Sequence, residues 1–503
     1  MKNYLLGIDL GTSACKAAVF NREGKVIASA TGNYRVYYPK PGWAEQDPEE
    51  WWMVICSTLK AIWEKGEVRP EEIAGVSVDG QSWSAIPIDG SGKCLTKTPI
   101  WMDFRAQEEC DRLNAKIGKE KIFELAGNAL LPSYTTPKVL WYQTHRPEVY
   151  EKTDKILQSN GYVVYRLTGE ISQDVSQGYG WHCFNMRKGT WDYGMAAELG
   201  IETSFLPPVV RCDTVVGTVT KEAALQCGLM EGTSVVAGGL DAACGTLGAG
   251  VLHEGDTQEQ GGQAGGMSIC LEDYKADPRL IMSFHVVPDV WLLQGGTVGG
   301  GGVMRWFEQE FAGYERLMAK ETGKSSLEQL NEIAAAVPPG CEGLVFLPYM
   351  SGERTPIWDP NAKGVFYGLG FSKTKGHMTR ACMEGVAYAL RHNLDVAEEA
   401  GAHAQVLRAV GGSANSLLWT QIKADVTGRP IVVPYSDAAT TLGAALLAGV
   451  AVGMYDSYEE AVSETVHETR AHEPNPENAA AYDKAYETYR GLYEQLRGFM
   501  KEH

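Results

Sequence analysis

The sequence contains no C-x-x-C pair and no histidine cluster at zinc-binding spacing. Its 11 cysteines are odd in number and scattered from Cys15 to Cys382. That arrangement argues against a disulfide framework and predicts reduced, mostly buried thiols in a cytoplasmic protein. Positive charge is scarce too: 45 Lys and Arg face 63 Asp and Glu, a formal net charge of −18. A chain so acidic lacks the basic surface that nucleic acids and anionic membranes require. The N-terminus reaches Asp9 before the apolar core of a signal peptide could form. The longest uncharged stretch, Ala438 to Tyr455, is rich in Ala and Gly and poor in large apolar side chains. It reads as a buried helix packed closely on its neighbours rather than a membrane span. Familiar nucleotide motifs are also missing. No G-x-G-x-x-G follows a strand, and Gly323-Lys324-Ser325 fails as a P-loop because position 318 is Met.

What the chain has in excess is glycine, 57 of 503 residues, or about 11% against a usual ~7%. The length predicts two to four domains. Tyr4 to Leu10 is an almost continuous apolar run, followed by Ala17–Phe20 and Val26–Ala28, which together read as a meander of short strands. Pro48 opens a helix with Trp51, Trp52, Ile55, Leu59 and Ile62 on one face. Ile73–Asp79, Ala85–Ile88 and Ser234–Ala237 read as further strands, with helical patterns dominating between residues 105 and 200. After Gly255 the meander pattern returns, around 257–259, 266–270, 281–286 and 290–293. Helices follow, the clearest being Lys375 to Glu399, and an amphipathic helix closes the chain from Asn475. The pattern predicts two similar α/β domains, residues 1–250 and 251–503.

Four glycine clusters sit beside these strands: Gly11-Thr12-Ser13, Gly261-Gly262-Gln263-Ala264-Gly265-Gly266, Gly295-Gly296-Thr297 with 299–302, and Gly411-Gly412-Ser413. One such cluster is read first as a turn. Four of them on two repeated units point to phosphate binding through backbone N–H groups, which needs little side-chain charge. Two loop carboxylates stand out. Asp9 is either a Mg²⁺ ligand or a turn carboxylate. Asp241 either caps the next helix or accepts a proton from a substrate hydroxyl.

The motifs resemble those of the FGGY carbohydrate kinases, especially their xylulokinase-like members. Gly7-Ile8-Asp9-Leu10-Gly11-Thr12-Ser13 is similar to the family's first phosphate loop, and 41–48 (PGWAEQDP) to its N-domain signature. Gly238-Gly239-Leu240-Asp241-Ala242-Ala243 is similar to the segment carrying the catalytic base. Residues 347–356 (LPYMSGERTP) and 384–388 (EGVAY) resemble C-domain signatures, and 411–416 (GGSANS) the adenosine motif. The resemblance implies an α/β fold of two actin-like, ribonuclease H-like domains with ATP and sugar in the cleft between them. It implies an ATP-dependent kinase acting on a terminal hydroxyl of a ketopentose, with xylulose leading and another ketose or polyol as alternatives. Asp241 would be the base and Asp9 the Mg²⁺ residue. Gly11, Thr12, Ser13, Gly262 and Gln263 would face the phosphates, and Gly411, Gly412 and Asn415 the nucleotide. Gln81, Ser82, Trp83 and Asp103 would form the sugar pocket. Partners would be the sugar and ATP, and the resemblance allows a homodimer. Three departures are visible: Trp83 where xylulokinases have His, Phe104 where they have Gly, and Gly-Gly-Gln-Ala-Gly in place of Gly-Thr-Ser-Gly in the second phosphate loop. The last of these raises a competing reading, a nucleotide-dependent sugar sensor without catalysis.

Overall fold

A computed structural model describes residues 2–435 and 438–502. Its backbone is built around two mixed sheets of matching design. In the first, the order is Val26–Asn33, Ala14–Phe20, Tyr4–Leu10, Ile73–Gly80, Ser234–Leu240 and Val215–Thr218. The first three strands form an antiparallel meander, while Tyr4–Leu10, Ile73–Gly80 and Ser234–Leu240 run parallel. In the second, Trp291–Thr297, Gly265–Leu271 and Asp256–Gly261 form the meander, and Asp256–Gly261, Val406–Val410 and Ile431–Pro434 run parallel. Ile281–Phe284 and Glu468–His472 extend its two edges. The repeat read from the sequence is therefore a repeat of topology.

Central parallel strands are covered on both faces, which is why Tyr4–Leu10 reads as an apolar run rather than an alternating one. Leu5, Leu6, Ile8 and Leu10 are all fully buried. Helices supply the covers. In Pro48–Glu64, the Asp47 side chain accepts from Glu49 N at 3.0 Å, and Trp51, Ile55, Leu59 and Ile62 face the sheet core. Lys375–Glu399 forms over its expected span. The terminal helix starts at Ala479, after a short 3-10 turn at Pro476–Asn478. All 11 cysteines are free thiols, and all but Cys94 are buried.

The uncharged stretch forms the helix Ala439–Ala451, whose residues Thr441–Gly449 are buried. No helix among the described residues is long and apolar enough to cross a membrane. This helix comes from the C-terminal half of the chain yet packs on the Tyr4–Leu10 strand and on the helix Asp241–Gly248 of the N-terminal half. Glycine makes that approach possible. A Cβ on Gly443 would lie 1.8 Å from the Cys244 carbonyl oxygen, one on Gly248 1.8 Å from that of Ala439, and one on Gly7 2.0 Å from that of Thr441. These distances leave no room for any side chain.

Candidate active site

Ligands of open α/β sheets bind beyond the carboxyl ends of parallel strands, and three carboxylates gather there. The parallel register sets Asp9 level with Asp79, and Asp79 level with Gly239. Two residues beyond Gly239, Asp241 opens the helix Asp241–Gly248. Its Oδ1 accepts from Ala242 N at 2.7 Å. Burial, and then the charge of Asp9, push its pKa up to about 7 despite that bond. Asp79 was not singled out by the sequence, although an Asp at a buried strand end is the signal that would have found it. It is fully buried, and neither of its oxygens has a donor among the described residues. Its carboxyl is within hydrogen-bonding reach of Asp9 when one of the pair holds a proton. Burial raises its pKa well above the usual range, and the charges of Asp9 and Asp241 add to this.

Asp9 opens onto the larger of the two cavities at these strand ends, of about 490 Å³. Gly262, Gly411, Gly412 and Asn415 line it, as the sequence indicated, and Arg470 and Tyr435 stand at its side. Lys16, which carries no motif of its own in the sequence, lies opposite Asp9 in the antiparallel register and lines the same cavity. Its charge partly offsets the burial that raises the Asp9 pKa. The two glycine loops touch: Gly411 has φ +87°, and a Cβ there would lie 3.0 Å from the Gly261 carbonyl carbon. A buried ion pair holds them from below. Lys423 Nζ donates to Glu259 Oε1 at 2.6 Å and to Ser413 Oγ at 2.8 Å. The donor set fits Mg·ATP. Asp9 presents a hard carboxylate at the cavity wall, suited to a cation whose remaining ligands are phosphate and water. The loops meanwhile offer backbone donors. Four residues expected at the phosphates do not line this cavity, among them Thr12, which lines the second one. Gly11 and Ser13 sit in the turn between the first two strands, with Gly11 N bonded to Ala14 O and Ser13 O accepting from Tyr34 N. Gln263 is exposed, and its side chain packs on Gly302.

The second cavity, of about 230 Å³, lies between the two sheet units and contains Asp241. Gln260 borders both cavities. Ser82, Trp83 and Thr12 line it, as do Trp101 and Tyr179. Trp101 Nε1 donates to Thr12 Oγ1 at 2.9 Å, and Tyr179 OH to Ser82 Oγ at 2.6 Å. Trp83 has φ +59°, a strained conformation for a bulky residue. It is held there by stacking on Tyr134, with ring centroids 4.1 Å apart, and by Lys138. Lys138 is wholly buried and donates to Trp83 O at 2.9 Å and Ile100 O at 2.7 Å. It thereby ties together the two loops that carry Trp83 and Trp101. Burial pulls its pKa down to about 7.

Two residues expected in the sugar pocket, Asp103 and Gln81, do not line the second cavity. Asp103 is fully buried, and its oxygens are taken by Arg105 (Nε 2.9 Å, Nη2 2.7 Å) and Ala44 N (2.6 Å). It fixes Arg105 rather than facing a sugar. Gln81 turns inward, donating to Gln46 Oε1 at 2.6 Å, and Gln46 Nε2 donates to Thr12 O at 2.7 Å. It therefore steadies the first phosphate loop from behind. Phe104 is 57% exposed and forms no part of the cavity wall.

Comparison with known proteins agrees with this geometry. Residues 4–248 match the model of the FGGY family of carbohydrate kinases, N-terminal domain, and residues 272–452 that of the C-terminal domain. Xylulose kinase of Bacillus subtilis (strain 168) is 31% identical over 492 residues, covering 97% of this chain and 96% of that protein. Gluconokinase of Bacillus licheniformis is 31% identical over 487 residues, 96% of this chain and 94% of that protein. The crystal structure of xylulose kinase from Rhodospirillum rubrum superposes with a TM-score of 0.88 at 31% identity, covering 99% of this chain and all of that one.

Proposed function

Because the chain belongs to the FGGY family of carbohydrate kinases and is itself a carbohydrate kinase using ATP, we propose that it phosphorylates a terminal hydroxyl of a ketopentose, with xylulose the leading acceptor. The observation that carries this reading is the placement of Asp241. It lies in the smaller cavity, directly beside the larger one that Gly262, Gly411, Gly412 and Asn415 line. The nucleotide would occupy the larger cavity with Mg²⁺ held by Asp9, and the sugar the smaller. Asp241 would take the proton of the attacking hydroxyl as it approaches the γ-phosphate in line. Most of the acceleration in such a transfer comes from positioning and charge stabilisation. A sensor without catalysis is disfavoured, since it has no use for a base whose pKa burial has moved to about 7.

The test is coupled ADP release over ketopentoses, aldoses, polyols and sugar acids. The similarity to a gluconokinase is the reason for including the acids. A ketopentose should give the highest kcat/KM; a preferred acceptor of another class would replace xylulose. Asp241→Ala should lower kcat/KM by about 10²–10⁴ while ATP still binds. Turnover close to wild type in that variant would remove Asp241 from the chemistry.

A further inference from the structure

Arg354 lines the acceptor cavity, and no hydrogen bond or ion pair from the described residues reaches its guanidinium. It belongs to the C-terminal unit, in the segment after the Val345–Leu347 strand, and lines the cavity opposite N-terminal residues such as Trp83 and Trp101. Its guanidinium lies against Gly296, where a Cβ would come within 2.5 Å of Nη2. It faces the Trp101 ring, 5.6 Å from the centroid. Among the described residues, no carboxylate forms an ion pair with it, and none of its side-chain nitrogens donates a hydrogen bond. Its neighbour Glu353 is committed elsewhere, accepting from Thr297 Oγ1 at 2.5 Å, Val298 N at 2.8 Å and the backbone N of Arg354 at 2.7 Å.

Two other arginines with enclosed side chains are treated differently. Arg105 is held by Asp103 and Glu45, and Arg380 by Glu384 and the Tyr482 hydroxyl. A guanidinium is a planar fork of donors with no acceptor, and leaving it desolvated and unpaired is costly. Arg354 is also desolvated enough that burial holds its pKa below the ordinary arginine value. Half-buried in a cavity wall with its fork of donors unused, the side chain is placed to take a partner from whatever enters the cavity.

We propose that Arg354 is a specificity-determining residue of the acceptor site, its guanidinium binding a pair of acceptor oxygens other than the hydroxyl presented to Asp241. The fork matches two neighbouring oxygens, either the carbonyl and adjacent hydroxyl of a ketose or the carboxylate of a sugar acid. This rests on the sugar-kinase reading and adds to it the group that the C-terminal unit recognises. It also makes the acceptor a bridge, touched by Asp241 from one unit and Arg354 from the other.

The experiment uses the full-length enzyme with Arg354→Met and Arg354→Lys, assayed on a ketopentose and a sugar acid that the wild type phosphorylates. The acceptor KM of Arg354→Met should rise at least tenfold, with the ATP KM within twofold of wild type. Arg354→Lys, which keeps the charge and loses the fork, should fall between the two. A loss larger for the sugar acid identifies the carboxylate as the partner, and one larger for the ketopentose identifies the carbonyl–hydroxyl pair. An unchanged acceptor KM, or acceptor and ATP KM rising together, overturns the proposal. If Arg354→Met does not fold, as judged by its melting temperature, Arg354→Lys decides the matter by the same two KM values. A wild-type enzyme that phosphorylates no sugar would overturn the function and this proposal together. An active wild type with an unaffected Arg354→Met overturns the proposal alone.

Discussion

As the proposed base, Asp241 would act only when ionised, and burial, with the charge of Asp9, pushes its pKa up to about 7. A raised carboxylate pKa means that the proton is held up to neutrality, so kcat/KM should climb through about pH 7. Below that point it should fall by about tenfold per pH unit, as expected for a single required ionisation. A rate profile flat between about pH 5.5 and 8 would show that the step does not pass through this carboxylate. Residue chemistry was unevenly legible in the sequence. Asp9 and Asp241 could be found because each is framed by a glycine motif. Asp79 and Lys16 carry no such frame, and Arg354, though it lies in the 347–356 signature, becomes a cavity residue only through the approach of the two units, as strand register places the other two. The surroundings of Asp103 were hidden for the same reason. Sequence shows a carboxylate two positions after Trp101, but not that Arg105 has already claimed both of its oxygens.

At the scale of elements, periodicity and turn residues were enough to place the meanders, the Pro48 helix and Lys375–Glu399. Strand ends ran longer than expected wherever glycine continued the ladder, as in Ser234–Leu240 through Gly238-Gly239 and Trp291–Thr297 through Gly295-Gly296. Glycine reads locally as a turn, yet here its absent side chain is used for packing. The contact between Asp241–Gly248 and Ala439–Ala451 is the sharpest case, and its existence followed from composition although its partner did not. Gly443→Ala places a methyl where the Cys244 carbonyl oxygen lies. Overpacking of this kind costs about 1–3 kcal/mol. Denaturant unfolding should report a loss in that range, whereas Gly491→Ala, at a position with nothing within 4 Å, should be neutral or stabilising. Equal stability of the two variants would mean that the helices do not meet as closely as described.

Over the whole molecule, the acceptor cavity exists only because both units contribute to it: Trp83, Trp101 and Asp241 from one side, Gln294 and Arg354 from the other. An acceptor that touches both walls favours the arrangement in which they are close, which also excludes water as a rival nucleophile. Small-angle scattering should therefore show a smaller radius of gyration with ATP analogue and acceptor together than with either alone. No difference among the three would mean that the units hold one fixed arrangement. The two-unit plan was legible from the repeated meander. The cavity was not, since it is formed by residues separated by more than half the chain.

The glycine-lined helix contact has a mechanical consequence. Two helices whose backbones touch at several points cannot slide along or past one another, but they can turn about the place where they touch. That makes the contact a pivot, and displacement about a pivot grows with radius. Asp241 is the first residue of one of the two helices, so a turn at the contact would carry its carboxylate with that helix. Gly411 and Gly412 line one cavity with Ala439 and Thr441 at the start of the other helix, so a turn at the contact would be felt directly at that cavity wall.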